Sequence, residues 1–347
     1  MKATYSFLDY GHLLSPQEGV LALDVGMKTV PGVIDHHHPN AEVECTASLV
    51  VKHPHLVLDH LSSHKSRDRE MRIITHRFPD FDAMSSSFLA LKLLEQGKVD
   101  ESMERLASYS KMVDSASLPK QIDLSSTPYS ILRALYSTIK KKNEEEINQE
   151  RVKTGIKFMN FLYSKSEEGY DIFQNRSLFA GVERYEKAIR KCDDDYFNYL
   201  QDVTRAEKMR LSLPLSQGQG RKEVDALIIR NPKSFLLKEW ARRDREHAPC
   251  GKGFGFLMTN MWNKRYILAV DPEAGVNLKG LGDLLNEKEK TKREKSPKSS
   301  SYCWYEGNCP FFNYRIIVSP QDETLLTHEE IVGELLLFQK RFAPVSK

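Results

Sequence analysis

Two short stretches of this chain carry residue types that can do metal chemistry. Asp35-His36-His37-His38 places a carboxylate beside three imidazoles, and His76-x3-Asp80-x-Asp82 supplies a second set of histidine and acid further along. Imidazole mixed with carboxylate suits a divalent transition ion such as Mn2+, where an all-oxygen set would suit Mg2+ or Ca2+ better. Two such ions about 3.5–4 Å apart can clamp a phosphoryl group and activate water between them. Both motifs follow apolar runs, so the chemistry expected is two-metal hydrolysis at phosphorus.

The elements that must position these residues are legible around them. Val20 to Leu23 leads into Asp24, Gly32 to Ile34 leads into Asp35, and Met71 to Thr75 leads into His76. Short aliphatic runs bounded by Gly or Pro read as buried strands, most naturally of a parallel sheet. In an open α/β sheet the ligand-binding groups collect beyond the carboxyl ends of the strands. Asp24, Asp35, His36, His37, His76, Asp80 and Asp82 all fall there. A helix is expected from Ala83 to Gln96, with Asp82 as its cap and Gly97 as its stop, and its amino end would favour anions.

Asp35-His36-His37 together with His76-Arg-Phe-Pro-Asp80-Phe-Asp82 resembles the DHH phosphoesterase superfamily. That superfamily includes RecJ-type exonucleases, nano-RNA and cyclic-dinucleotide phosphodiesterases, and Mn2+-dependent family-II pyrophosphatases. The resemblance implies that His36, His76, Asp80, Asp82 and two further aspartates hold two Mn2+ ions. It implies that His37 contacts the substrate phosphate while Asp35 orients its neighbours. Asp24, in Leu-Asp-Val-Gly, is similar to the family's lone bridging aspartate, and Asp114, in Met-Val-Asp-Ser-Ala-Ser, to the aspartate that follows the DHH triplet. The motif order departs from the family, because here the lone aspartate and DHH precede His76. Such a rotation is physically tolerable when domain termini lie close together. It leaves Asp59 and Asp123 as substitutes for Asp24 and Asp114.

Blander readings stand beside these. A histidine triplet can be a solvated loop, the His76 motif a polar turn around Pro79, and Asp24 a strand-ending turn residue. His53, His55, His60 and His64 read best as a solvated helix face. Arg77 could touch phosphate or face water. His38 is a candidate for substrate contact next to its two neighbours.

A chain of 347 residues is too long for one core. The expected organisation is α/β: a parallel-sheet, DHH-type metal-binding domain over 1–125, a helical connector over 126–212, and a smaller accessory α/β domain with a mixed sheet over 213–347. Lys140 to Glu146 reads as a solvated charge run, and Ile156, Met159, Leu162 and Tyr163 recur at helical steps. In the last segment Val224 to Arg230, Arg265 to Val270 and Tyr314 to Val318 read as strands, and Lys233 to Arg243 as a helix. Thr327-x2-Glu330 forms a capping box for a final helix to about Phe342. Asn286 to Ser301, poor in apolar residues, reads as a mobile loop.

Cys250-Gly251-Lys252-Gly253-Phe254-Gly255 is the nearest match to the glycine-rich segment that holds the nucleotide in the family's accessory domain. Freed backbone amides of Gly251 and Gly253, with Lys252, could cradle a phosphate, and Phe254 or Phe256 could stack on a base. The alternative is a glycine-rich turn into a strand. Trp304-Tyr305-Glu306-Gly307 is a further candidate loop whose aromatic pair could equally be core.

No apolar stretch approaches the length of a membrane span, and the amino terminus lacks a signal-like core, so a cytoplasmic location is expected. Five scattered cysteines do not suggest a disulfide framework, and the spacing of His247, Cys250, Cys303 and Cys309 fits no common zinc module. The formal net charge of +3 is matched by the excess between Asn286 and Ser300, where six basic residues meet three glutamates. That favours a small or single-stranded nucleotidic substrate over long duplex DNA. The expected activity is hydrolysis of a nucleotidic phosphodiester: a short oligonucleotide, a cyclic dinucleotide or a single-stranded end. A phosphoanhydride hydrolase and a non-catalytic nucleotide sensor are the alternatives.

Overall fold

The computed structural model describes residues 3–62, 71–173, 176–261, 265–295, 303–320 and 323–341. Across them run ten α-helices and two mixed sheets, one mostly parallel. No described helix is long and apolar enough to cross a membrane. The chain divides into two compact units, Met1–Asp194 with Cys309–Phe311, and Asp195–Asn308 with Phe312–Lys347.

The first unit is built on β1 (Ala3–Leu8), β2 (Val20–Leu23), β3 (Thr29–Val30), β4 (Val33–Ile34) and β5 (Met71–His76). Their order is β1-β5-β2-β4-β3, parallel except where β3 turns back on β4. Leu21, Ala22 and Leu23 are all buried, as a central strand covered on both faces requires. Ala22, Val33 and Ile74 pack on one face with Leu8 and Leu14.

Helices α1 (Thr46–Lys52), α2 (His55–Ser62), α3 (Phe81–Gln96), α4 (Glu101–Asp114), α5 (Pro128–Tyr136) and α6 (Glu144–Glu167) complete this unit, with the first part of α7 (Glu183–Arg205). The middle segment's helices are therefore shared. α6 buries Asn148, Val152, Gly155, Met159, Leu162 and Ser166 at alternating four- and three-residue steps and packs on α3 and α4. Periodicity showed this apolar face, but not which helices it would meet.

The second unit takes over within α7. It holds β6 (Glu207–Pro214), β7 (Arg221–Arg230), α8 (Leu237–Arg243), β8 (Phe256–Met261), β9 (Arg265–Val270), α9 (Leu281–Glu294), β10 (Tyr305–Glu306), β11 (Ile316–Val318) and α10 (His328–Arg341). Its sheet runs β10-β11-β9-β8-β7-β6, parallel only between β7 and β8. One face carries the Tyr199, Leu237 and Phe254 cluster, and the other packs Phe256, Leu268 and Trp304 with Leu285 and Leu335.

Several expectations need correction. The connector expected to be helical over 126–212 turns into β6 at Glu207, paired along its length with β7. Asn286 to Lys295 is not a loop: α9 runs through it, because Glu289 and Arg293 are buried and paired while Lys288 and Lys292 bind Glu334 and Glu330 on α10. The remainder of that stretch, to Ser301, lies outside the described residues, as does His64. α8 begins at Leu237 rather than Lys233, because Asp195 and Asp202 take the amides of residues 233–236 in a turn. Trp304 is core, donating its indole N–H to Glu289. The Thr327 capping box forms as expected, each partner's side chain accepting the other's amide.

Candidate metal centre

Because β1, β5, β2 and β4 run parallel, their carboxyl ends share one edge of the sheet. Leu23 lies beside Ile34, which sets Asp24 next to Asp35, and Ala22 beside Ile74 carries the same register on to Asp24 and His76. Leu8 pairs with His76, so Tyr10, two residues later, arrives at the same place. Asp24 sits in left-handed backbone at φ 63°, a conformation that aspartate tolerates better than most residues.

Asp24 is the centre of the arrangement. One of its carboxylate oxygens lies 3.2 Å from His36 Nε2 and the other 3.3 Å from His76 Nε2. Asp80 Oδ1 stands 3.6 Å from His76 Nε2, and Asp114 Oδ2 3.4 Å from His36 Nε2. The set Asp24, His76 and Asp80 and the set His36, Asp82 and Asp114 each bring their donor atoms within 4.8 Å of one another. Two donors about 2.1 Å from a shared ion and at right angles to each other lie about 3 Å apart, close to these separations.

The surrounding hydrogen bonds leave the right atoms exposed to an ion. His76 Nδ1 donates to the Arg77 carbonyl at 2.8 Å, so the lone pair belongs to Nε2. That nitrogen is buried, and no hydrogen bond satisfies it. Asp80, not Asp82, caps α3: its Oδ1 accepts from the amides of Asp82 and Ala83, and its side chain is 49% exposed. Asp82 lies in the first turn, and its carboxylate accepts the amides of Thr46 and Ala47 at the start of α1 and the Ser110 hydroxyl. Ser110 and Asp114 are four residues apart on α4, so one helix face supplies both.

His37 is held differently. Its Nδ1 lies 2.7 Å from Asp35 Oδ1, while Asp35 Oδ2 accepts the Met27 amide at 2.6 Å. Asp35 is thus committed to orienting His37.

The electrostatics follow from four carboxylates meeting two imidazoles. Burial, then the charge of Asp24, pushes Asp82 up to about 6. Burial alone would raise Asp24, but His36, His76 and the charge of His37 hold it well below the usual carboxylate range. Burial would lower His37 and His76, yet their acidic partners raise both. Such a concentration of acid is what a bound cation relieves, so the donor set fits divalent ions.

Not every expected residue joins this group. His38 is turned to Thr29, its Nε2 3.1 Å from the hydroxyl. Arg77 is engaged with Asp9 at 2.7 Å and Glu144 at 3.0 Å instead of waiting for phosphate. Asp59 lies on α2 and Asp123 caps a 3₁₀ turn, so neither replaces Asp24 or Asp114. His60 Nε2 donates to the backbone carbonyls of Gln17 and Val20.

Gly251, Lys252 and Gly253 belong to the second unit. A Cβ at Gly253 would run into the Arg242 carbonyl oxygen, and φ there is 82°, so this glycine serves the packing of its loop on α8. Phe254 and Phe256 are buried in the two clusters of that unit and have no face left for a base. None of the five cysteines is in a disulfide, and among the described residues none joins a group that could hold a metal.

Sequence reasoning missed Tyr10, whose ring stacks on His76 at 4.5 Å and meets His37 edge-on at 5.2 Å. It also missed Thr46, Ser110 and Phe311, the last edge-on to His36 at 4.8 Å. The Cys45-Thr46-Ala47-Ser48 helix start was the one signal available, since Cys45 and Ser48 form a reciprocal cap there. No protein-family model matches this chain, and no curated protein matches its sequence.

Proposed function

We propose that this chain is a two-metal phosphoester hydrolase of the DHH type, acting on a nucleotidic phosphodiester. The observation that carries the reading is the Asp24 carboxylate, with one oxygen turned to His36 and the other to His76. A carboxylate so placed is suited to bridge two Mn2+ ions, one with His76 and Asp80, the other with His36, Asp82 and Asp114. Bound there, the ions would supply charge to the phosphoryl oxygens and lower the pKa of the attacking water.

The protein's own groups do the rest. Asp35 holds His37 through Nδ1, and a carboxylate there favours the protonated ring, which can donate to a non-bridging oxygen. Tyr10, stacked on His76 and edge-on to His37, keeps the two rings from turning. The α1 amino end fixes Asp82. The substrate class is a short oligonucleotide, a cyclic dinucleotide or a single-stranded end. Free thiols throughout agree with work in a reducing cytoplasm.

Assays of bis(4-nitrophenyl) phosphate, a labelled dinucleotide and pyrophosphate, each with and without Mn2+, decide the matter. Mn2+-dependent cleavage of the diesters supports the reading. Cleavage of pyrophosphate alone would move it to a phosphoanhydride hydrolase, and saturable nucleotide binding without turnover to a sensor.

A further inference from the structure

The loop between His76 and Asp80 is gripped from one side by α6. Asn148, buried on that helix, accepts the Phe78 amide at 2.8 Å. Arg151, one turn on, lies with its guanidinium 5.2 Å from the centre of the Phe78 ring and 4.9 Å from that of Tyr136. Phe78 itself is held in left-handed backbone at φ 55°, where a bulky residue is uncommon. Strain of this kind persists only where the surroundings impose it. Tyr136 is brought up by a close helix approach at Gly155, where a Cβ would fall 2.7 Å from the Tyr136 hydroxyl and 2.5 Å from Met84. Two aromatic rings therefore clamp one cation within two residues of Asp80.

Among the described residues no carboxylate pairs with Arg151, and its Nε is buried without a hydrogen bond. A guanidinium carries five N–H donors and stays charged. Burial, with Arg133 nearby, lowers its pKa to about 10, while Tyr136 and more weakly Asp80 and Tyr10 act the other way. Stacking on aromatic faces offsets part of the desolvation and leaves the N–H edge to an in-plane acceptor. Arg77, by contrast, already has Asp9 and Glu144.

We propose that Arg151 binds the substrate, its ring-clamped guanidinium taking a phosphoryl oxygen beside the His76–Asp80 side of the cluster. This assignment rests on the phosphoesterase reading above and adds a protein cation to it. A planar fork matches two phosphate oxygens where a lysine offers a point charge. Phe78 and Tyr136 are then positioning residues that present the fork.

The test uses the full chain loaded with Mn2+, with inorganic phosphate as the probe. Calorimetry reports Mn2+ and phosphate binding, and bis(4-nitrophenyl) phosphate reports KM and kcat. In Arg151→Met, Mn2+ affinity and stoichiometry should be unchanged, while phosphate binding and KM weaken about ten- to hundredfold, as for a lost charged hydrogen bond. A merely structural arginine would alter thermal stability and leave phosphate affinity and KM alone, and that result overturns the assignment. Should Arg151→Met not fold, Arg151→Lys decides: weaker phosphate binding supports the proposal, and wild-type binding overturns it. A wild-type protein that binds no phosphate and cleaves no diester would remove the phosphoesterase reading itself. Phosphate binding that Arg151→Met leaves intact removes only the role of Arg151.

Discussion

Asp24 and Asp35 sit side by side on neighbouring strands, yet their surroundings assign them different work. Asp24 faces His36 and His76, with His37 a little farther off, and its Oδ1 accepts from the Thr46 hydroxyl. Asp35 is taken up by His37 and the Met27 amide. Replacing Asp24 with Asn should therefore remove Mn2+ binding and activity together. Replacing Asp35 with Asn should keep the metals and lower turnover about 10–100-fold, the usual effect of losing a group that orients a functional residue. Calorimetry with Mn2+ and a steady-state assay separate the two, and equal loss of metal in both variants would contradict the division. The contiguous motifs were legible because each of their side chains is delivered by a strand end or helix start a few residues away. Tyr10, Ser110 and Arg151 were not, because an aromatic, a hydroxyl or a helix-borne arginine becomes part of a site only through packing between distant segments.

At the scale of elements, the strand ends and the turn that caps α3 do the positioning. The sequence showed that strands at Val20, Gly32 and Met71 would reach acids, and parallel pairing brings those ends to one edge. It misassigned the α3 cap, since either Asp80 or Asp82 could accept a first-turn amide and the helix starts at Phe81, which makes Asp80 the cap. In the second unit, the glycine-rich loop was offered as a phosphate cradle, but Gly253 is demanded by the Arg242 carbonyl. Gly253→Ala should then destabilise that unit by about 2–4 kcal/mol, from overpacking and a left-handed backbone combined. Urea denaturation followed by circular dichroism measures this, and a cost below about 0.5 kcal/mol, typical of a neutral surface change, would show that the loop yields.

For the whole molecule, charge and metal are linked. Within the basic stretch that matched the net excess, Lys288, Lys292 and Arg293 are paired with Glu334, Glu330 and Glu289. Composition cannot show such pairing. Cations that bind only the folded chain stabilise it by mass action. Mn2+ at a hundred times its dissociation constant should contribute about 2.7 kcal/mol per site. Thermal unfolding with and without Mn2+ should show a clear rise in Tm for the wild type and none for Asp24→Asn. A rise in both would place the ions elsewhere. The division of the chain within α7 was likewise hidden, because a continuous helix gives no break in pattern where its neighbours change.

Anomalous diffraction at the manganese edge, from crystals soaked in Mn2+, reaches the bridging role of Asp24 without an assay. Two peaks about 3.5–4 Å apart are expected, one beside His76 and Asp80, the other beside His36 and Asp114, with the Asp24 carboxylate between them. A single peak away from Asp24, or none among these residues at saturating Mn2+, would contradict the two-metal reading.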